Sequence, residues 1–241
     1  MNEINHQQTT SPLLLEGVGG RLLYEDNHII AINKTVSEIV QGDKTGDEPL
    51  SETVKRYLKE KYNKPGEVFL GVTHRLDRPV SGVVLFAKTG KALSRLNDMF
   101  KNKEVEKTYW AIVQAKPKES EARLEHFLVR NEKQNKSYAY PVEKTNSKKA
   151  VLSYKLLTSS ERYHLLEVKL ETGRHHQIRS QLAAIGCPIK GDLKYGAPRS
   201  NPNGGISLHA RSVRFIHPVS KLPVEITAPT PSDDKMWQIF K

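Results

Sequence analysis

The stretch VFLGVTHRLDRPVSGVVLFAKT, Val68 to Thr89, limits what this chain can fold into more than any other segment. Two runs rich in Val, Leu and Phe flank a polar centre. Their length and β-branched content predict strands over Val68–Val72 and Val83–Ala87. The centre, HRLDRPVSG, holds turn formers and predicts a loop between them. Asp77 therefore lies between Arg75 and Arg78 in a loop tethered at both ends. An arginine pointing at it would lower its pKa and keep it ionised at neutral pH. A plainer account, an Asp that closes a turn, fits the same residues.

The remaining chain alternates short apolar runs with turn formers. Residues 1–19 form a polar segment ending in GVGG, expected to be a flexible tail; neither GxGxxG nor GxxxxGK[ST] occurs, so no phosphate loop is present. RLLYEDNHIIAINK predicts two strands turning at Glu25-Asp26-Asn27. After the turn-rich TVSEIVQGDKTGDEP, LSETVKRYLKEKY has helical spacing at Leu50, Val54 and Leu58, with Ser51 as its cap. KALSRLNDMFKN places Leu93, Leu96 and Phe100 on one helical face, and TYWAIVQA predicts a strand. EKQNKSY reads as a loop; AVLSYKLL and HLLEVKLE read as strands. GRHHQIRSQLAAIG is the clearest helix, with Ile178, Leu182 and Ile185 at i, i+4, i+7 and Gly186 placed to end it. SLHARSVRFI and PVEITA predict two closing strands. One strand-dominated mixed domain over residues 20–241 is expected.

With 241 residues and 37% apolar content, the chain can bury one sizeable core. Its net charge of +11 favours a polyanionic partner, nucleic acid or an acidic membrane surface, although lysines such as those of KRYLKEKYNK also serve solubility. A single cysteine, Cys187, fits a reducing compartment. No cationic leader precedes an apolar run, and no segment approaches the roughly 18 apolar residues of a membrane span, so a cytoplasmic protein is expected.

His74, His126, His164, His175, His176 and His209 raise the question of a metal. No HExxH, CxxC or acidic cluster accompanies them, and adjacent His175 and His176 on a helix would diverge by about 100°. No metal site is expected. Arg179 follows them by four and three residues, giving a cationic face that is either solvated or contacts phosphate beside a base-stacking imidazole. Tyr109 and Trp110 alternate on their strand, so one ring faces inward. An acid–base hydrolase would need paired carboxylates or an acid with a His partner. The combination of basic charge, one ionised Asp, an Arg and a Tyr suits an enzyme acting on a base within RNA. A catalytically idle RNA-binding protein is the competing class, and a metal-dependent nuclease lacks its carboxylate cluster.

HRLDRPVSGVVLFAKT resembles the signature of the RluA-type pseudouridine synthases. LYEDNHIIAINK, EKTYWAIV, KKAVLSYKLL, ETGRHHQIRSQLAAIGCPIKGDLKYG and ISLHARSVRFIHPVSKLPVEITAP resemble that family's further segments, in order, from about Leu22 to Pro231. The resemblance implies an α+β fold, a bent, mixed, mostly antiparallel sheet flanked by helices with a central active cleft. It implies isomerisation of uridine to pseudouridine in rRNA or tRNA by a monomer, with no metal and no organic cofactor. By position, Asp77 would be the catalytic aspartate, Tyr109 would stack on the target ring, and Arg179 would pair with Asp77. His74 and Arg75 would support the loop and the substrate, and Arg174, His175 and Gln177 would contact it. Some positions depart from the family. Too few residues precede Leu22 for the S4-like module of many relatives. NKTVSEIV lacks the Pro and Gly of Asn-Lys-Pro-x-Gly, and Ser180-Gln181 stand where Val-His is common.

Overall fold

A computed structural model describes residues 18–240. The expected tail thus lies outside the described residues as far as residue 17, and its last two positions are not tail-like. Val18 is buried in the core, and Gly19–Arg21 form a short 3-10 helix. Strands β1 (Leu22–Glu25) and β2 (Ile29–Lys34) form the expected hairpin, whose turn is closed by Asp26 accepting from the backbone N–H groups of His28 and Ile29. Helix α1 (Leu50–Lys61) buries Leu50, Val54 and Leu58. Its N-cap is Pro49, not Ser51, which lies within the first turn, is buried, and donates its N–H to the Val40 carbonyl. Strand β3 (Gly71–Val72) is shorter than expected and pairs with β4 (Ser81–Ala87). Helix α2 (Gly90–Lys101) is capped by the Thr89 hydroxyl, which accepts from the Ala92 N–H.

Strand β5 (Glu106–Val113) is followed by a hairpin of β6 (Glu121–Asn131) and β7 (Lys136–Tyr140). This hairpin corrects the loop expected over EKQNKSY. Exposed and half-buried residues alternate along the start of β6 and Phe127-Leu128-Val129 follow, and a neighbour pairs with it on each side. Strands β8 (Lys148–Ser159) and β9 (His164–Leu170) precede helix α3 (Gln177–Ala184). Strands β10 (Leu208–Ile216) and β11 (Pro223–Thr227) and the short helix α4 (Lys235–Gln238) close the chain.

All the strands join one sheet in the order β1-β2-β4-β10-β5-β9-β8-β6-β7, with β3 on β4 and β11 on β10. Among the described residues every pairing is antiparallel except β4 with β10, so the sheet is mixed and the fold is α+β. Alternation along β2 and β4 feeds two cores. Ile30, Ile32, Val84 and Phe86 pack with α1 and α3, whereas Ile29, Ala31, Val83 and Leu85 pack with α2. With both faces covered, every residue of β4 is buried. Burying an apolar side chain of this size stabilises by roughly 1.5–3 kcal/mol.

The β4–β10 crossing depends on Gly82. Its φ is +117°, and a Cβ there would lie 2.3 Å from the Ala210 carbonyl oxygen and 2.5 Å from its nitrogen. A backbone neighbour cannot rotate aside as a side chain can. Only glycine lets β10 approach and dock beside the loop that precedes β4.

Candidate active site

The polar loop that precedes β4 is anchored by its own first residues. At the end of β3 the Thr73 hydroxyl donates to the Leu85 carbonyl at 2.5 Å, and the Leu85 N–H donates to His74 Nε2 at 3.0 Å. These side chains carry the contact with β4 past Val72, where β3 ends as expected; the strand is short at its start, since Val68, Phe69 and Leu70 lie outside it. Burial and then Lys107 push the His74 pKa down to about 3, leaving a neutral acceptor. His74 thus supports the loop and does not line the cleft described below.

Beneath the loop sits Lys34, 0% exposed, a residue that sequence reasoning passed over. Its ammonium donates to the carbonyls of Val80 (2.6 Å), Thr35 (2.9 Å), Arg78 (3.1 Å) and Asp77 (3.4 Å). Burial lowers its pKa to about 8. The loop over residues 35–49 closes on the same place. The Ser37 N–H donates to the Arg78 carbonyl, and Arg78 is paired with Asp47. Arg78 is thereby turned away from Asp77. Ser37, which replaces the family's glycine, has φ +71°, a region that glycine favours. Thr35, in place of proline, uses its N–H and hydroxyl to bind Glu38.

The charge facing Asp77 comes from α3. Arg179 Nη1 donates to Asp77 Oδ2 at 3.0 Å across 102 residues of chain. The guanidinium is 5% exposed and is held by a second carboxylate: Nε and Nη2 donate to Asp192 at 2.7 and 2.9 Å. Burial works against its charge, and Asp192 and Asp77 outweigh burial, so its pKa is raised. Asp192 belongs to the GDLKYG segment and was given no role from the sequence; its position in that motif was the available signal. Asp77 Oδ1 accepts no hydrogen bond from the described residues.

The helix expected from GRHHQIRSQLAAIG begins at Gln177, so the two histidines precede it. His176 has φ +53°, which folds its ring back to stack on His175 at 3.8 Å instead of diverging. The first six residues of α3 are buried, so of the two alternatives for its polar face, solvated or in contact with phosphate, the solvated one does not hold. His175 bonds Ser137 and Asn135 of the β6–β7 hairpin. Gln177 is held on both sides: its side-chain oxygen accepts from the Thr172 hydroxyl and the Arg174 N–H, and one hydrogen of its amide nitrogen goes to the Val151 carbonyl.

A cleft encloses about 90 Å³ before opening to solvent. Asp77 and Arg179 line it with Tyr109, His176, Gln177 and apolar Leu76, Val80, Leu170, Ile178 and Leu208; Arg75 and Arg174, both exposed, stand at its edge. Tyr109 is buried, and burial followed by the Asp77 charge raises its pKa, so the phenol stays protonated. Its neighbour Trp110 faces the other way, beneath Arg211 at 4.4 Å, beside the Trp237 cluster. Among the described residues no three His, Cys, Asp or Glu side chains come together as metal ligands, and no helix is long and apolar enough to cross a membrane.

Residues 28–184 match the family described as RNA pseudouridylate synthase. An uncharacterized RNA pseudouridine synthase of Synechocystis sp. is 35% identical over 215 residues, covering 88% of this chain and 65% of the relative. The chain thus spans about two thirds of that protein. The tRNA pseudouridine synthase C of Vibrio cholerae is 31% identical over 235 residues, covering 90% of this chain and 92% of the relative. The human RNA pseudouridylate synthase domain containing 4 shares the fold, with TM-score 0.74 over 91% of this chain and 90% of that one at 24% identity. With the aspartate loop, its arginine and the mixed sheet already in place, the match over more than half of the sequence makes this chain a member of the RNA pseudouridylate synthase family.

Proposed function

We propose that this chain isomerises one or more uridines of structured rRNA or tRNA to pseudouridine, with Asp77 acting on the ribose of a nucleotide flipped into the cleft. The observation that carries the reading is the asymmetry of Asp77. One oxygen is held by a buried guanidinium, and the other is unengaged by the described residues in a cleft shared with a tyrosine ring. The N1–C1′ bond must break, the uracil must turn, C5 must bond to C1′, and C5 must lose its proton. An ionised carboxylate serves as nucleophile at C1′ or as base at C2′, and Arg179 holds this one in place through Oδ2. Tyr109, a protonated phenol, offers a stacking face and a hydroxyl near the departing proton.

Arg75 and Arg174, exposed at the cleft edge, suit phosphate contacts, and the +11 charge suits the surrounding RNA. The enclosed volume is smaller than the roughly 150 Å³ cavity known to take benzene. The base therefore enters as the side chains at the edge give way, and sugar and phosphates stay in the open mouth. Every bond change is redox-neutral and uses a nucleophile, a base and a stacking surface, so the proposal includes neither metal nor organic cofactor. We place the enzyme in the cytoplasm as a monomer, a setting that suits its single, buried thiol at Cys187.

The test is tritium release from RNA carrying uridine labelled at C5. Asp77→Asn should abolish release while RNA affinity changes by less than about twofold, because the neutral isostere cannot attack or deprotonate the ribose. Release at the unmodified rate would end the assignment of Asp77.

A further inference from the structure

Of the five N–H groups of Arg179, three go to carboxylates, which leaves one hydrogen on Nη1 and one on Nη2. Nε and one Nη2 hydrogen go to Asp192, and one Nη1 hydrogen goes to Asp77. The second Nη1 hydrogen faces His176 Nε2 at 3.0 Å. A guanidinium has no lone pair to offer, so at that distance Nε2 must be the acceptor. The imidazole proton is then on Nδ1, which lies 3.0 Å from the Tyr195 hydroxyl. That hydroxyl also accepts from the Ser137 N–H at 2.8 Å, so the β6–β7 hairpin fixes its position. The opposite tautomer would set two N–H groups against each other at 3.0 Å, with the 3.4 Å contact to Asp77 Oδ2 and a hydrogen bond from the Tyr195 hydroxyl to Nδ1 in return.

Resting on the functional reading above, we propose that His176 is a positioning residue for Asp77: its neutral Nδ1–H tautomer takes up the second Nη1 hydrogen of Arg179, so that Nη1 presents a single N–H to the carboxylate and leaves Asp77 Oδ1 available to the ribose. The cost of the arrangement is visible in the backbone. His176 holds φ +53° next to the start of α3, a region unfavourable for a non-glycine residue, and the stack on His175 and the bond to Tyr195 hold it there. Burial and then the Arg179 charge push its pKa down to about 2, in keeping with a ring that does not take up a second proton.

Two readouts test this. In 15N-histidine-labelled protein, the His176 nitrogen shifts should report the neutral Nδ1–H tautomer from pH 5 to pH 8; an Nε2–H tautomer or a protonated ring in that range overturns the proposal whether or not the protein is active. The second readout is single-turnover and steady-state pseudouridine formation. His176→Gln, whose side-chain oxygen can stand near Nε2, should keep kcat within about threefold. His176→Asn, which reaches only the Nδ1 position, should lower kcat about tenfold or more with KM changed less than twofold, the worth of one charge-assisted hydrogen bond. Equal kcat in the two variants, or loss confined to KM, overturns it. If these variants unfold, the tautomer measurement on the unmodified protein still decides. If the unmodified protein forms no pseudouridine, the functional reading fails and the tautomer result stands alone.

Discussion

Arg179 is shared by two carboxylates that differ in one respect, burial, and that difference yields a quantitative prediction. Asp192 is 1% exposed and receives two hydrogen bonds of 2.7 and 2.9 Å. The Asp77 side chain is 32% exposed and receives one of 3.0 Å. Removing one partner of a buried pair leaves an uncompensated charge and costs about 3–5 kcal/mol. Asp192→Asn keeps an oxygen that can still accept one of the two bonds, and Asp77 still balances part of the guanidinium charge. The expected loss is therefore near the lower bound, about 3 kcal/mol. For Asp77→Asn, solvent screens the lost charge and Asp192 continues to neutralise Arg179, so the expected loss is under about 1 kcal/mol. Urea unfolding followed by circular dichroism measures both. With a slope of roughly 1–3 kcal/mol per molar, the Asp192→Asn midpoint should fall by at least about 1 M and the Asp77→Asn midpoint by much less. Equal shifts, or a larger shift for Asp77→Asn, would refute the division into a holding carboxylate and a working one.

Further outcomes follow from the same reasoning. Burial alone would raise the Glu25 carboxyl, but hydrogen bonds from Lys61 and Lys88, and then Tyr62, outweigh it and set the pKa at about 2, against 4.5 when unfolded. A depressed carboxylate stabilises the fold above its unfolded pKa, so up to about 3 kcal/mol should be lost as pH falls from 4.5 through 2. Glu25→Gln, measured by thermal melts across that range, should remove this slope. Ser37→Gly should raise stability by about 0.5–1 kcal/mol, since φ +71° suits glycine; a melting temperature that falls would count against strain at that residue. Gly82→Ala should cost about 3 kcal/mol or more, combining overpacking against Ala210 with an unfavourable φ, and soluble protein with an unchanged urea midpoint would contradict the tight β4–β10 crossing.

Local residue pattern carried much of the fold. The hairpin at Asp26, α1, α2, β5, β8 to β11 and most of α3 follow from periodicity and turn chemistry, because in each an apolar face is written into the segment itself. Strand β6 was passed over although Glu121 to His126 alternate and Phe127-Leu128-Val129 follow; what the pattern does not give is its two partners, β7 and β8. The late start of β3 was hidden as well: Val68 and Leu70 are buried in the core, but only Gly71 and Val72 pair with β4.

At the site, the loop and its aspartate could be singled out from residue order alone, because strand-forming runs on both sides leave the polar centre nowhere else to go. Which charges meet there was decided by tertiary structure. Arg78, adjacent in sequence, is drawn off by Asp47, while Arg179 arrives through the packing of α3 on the sheet, aligned by a carboxylate from the following loop. Lys34 is placed by burial and by the Val80 carbonyl 46 residues on, and His176 by Tyr195, 19 residues on, together with nearby Arg179. Strand and helix patterns depend on neighbours a few positions away, whereas the pairing and protonation of a buried polar group depend on whatever the fold brings within about 3 Å of it.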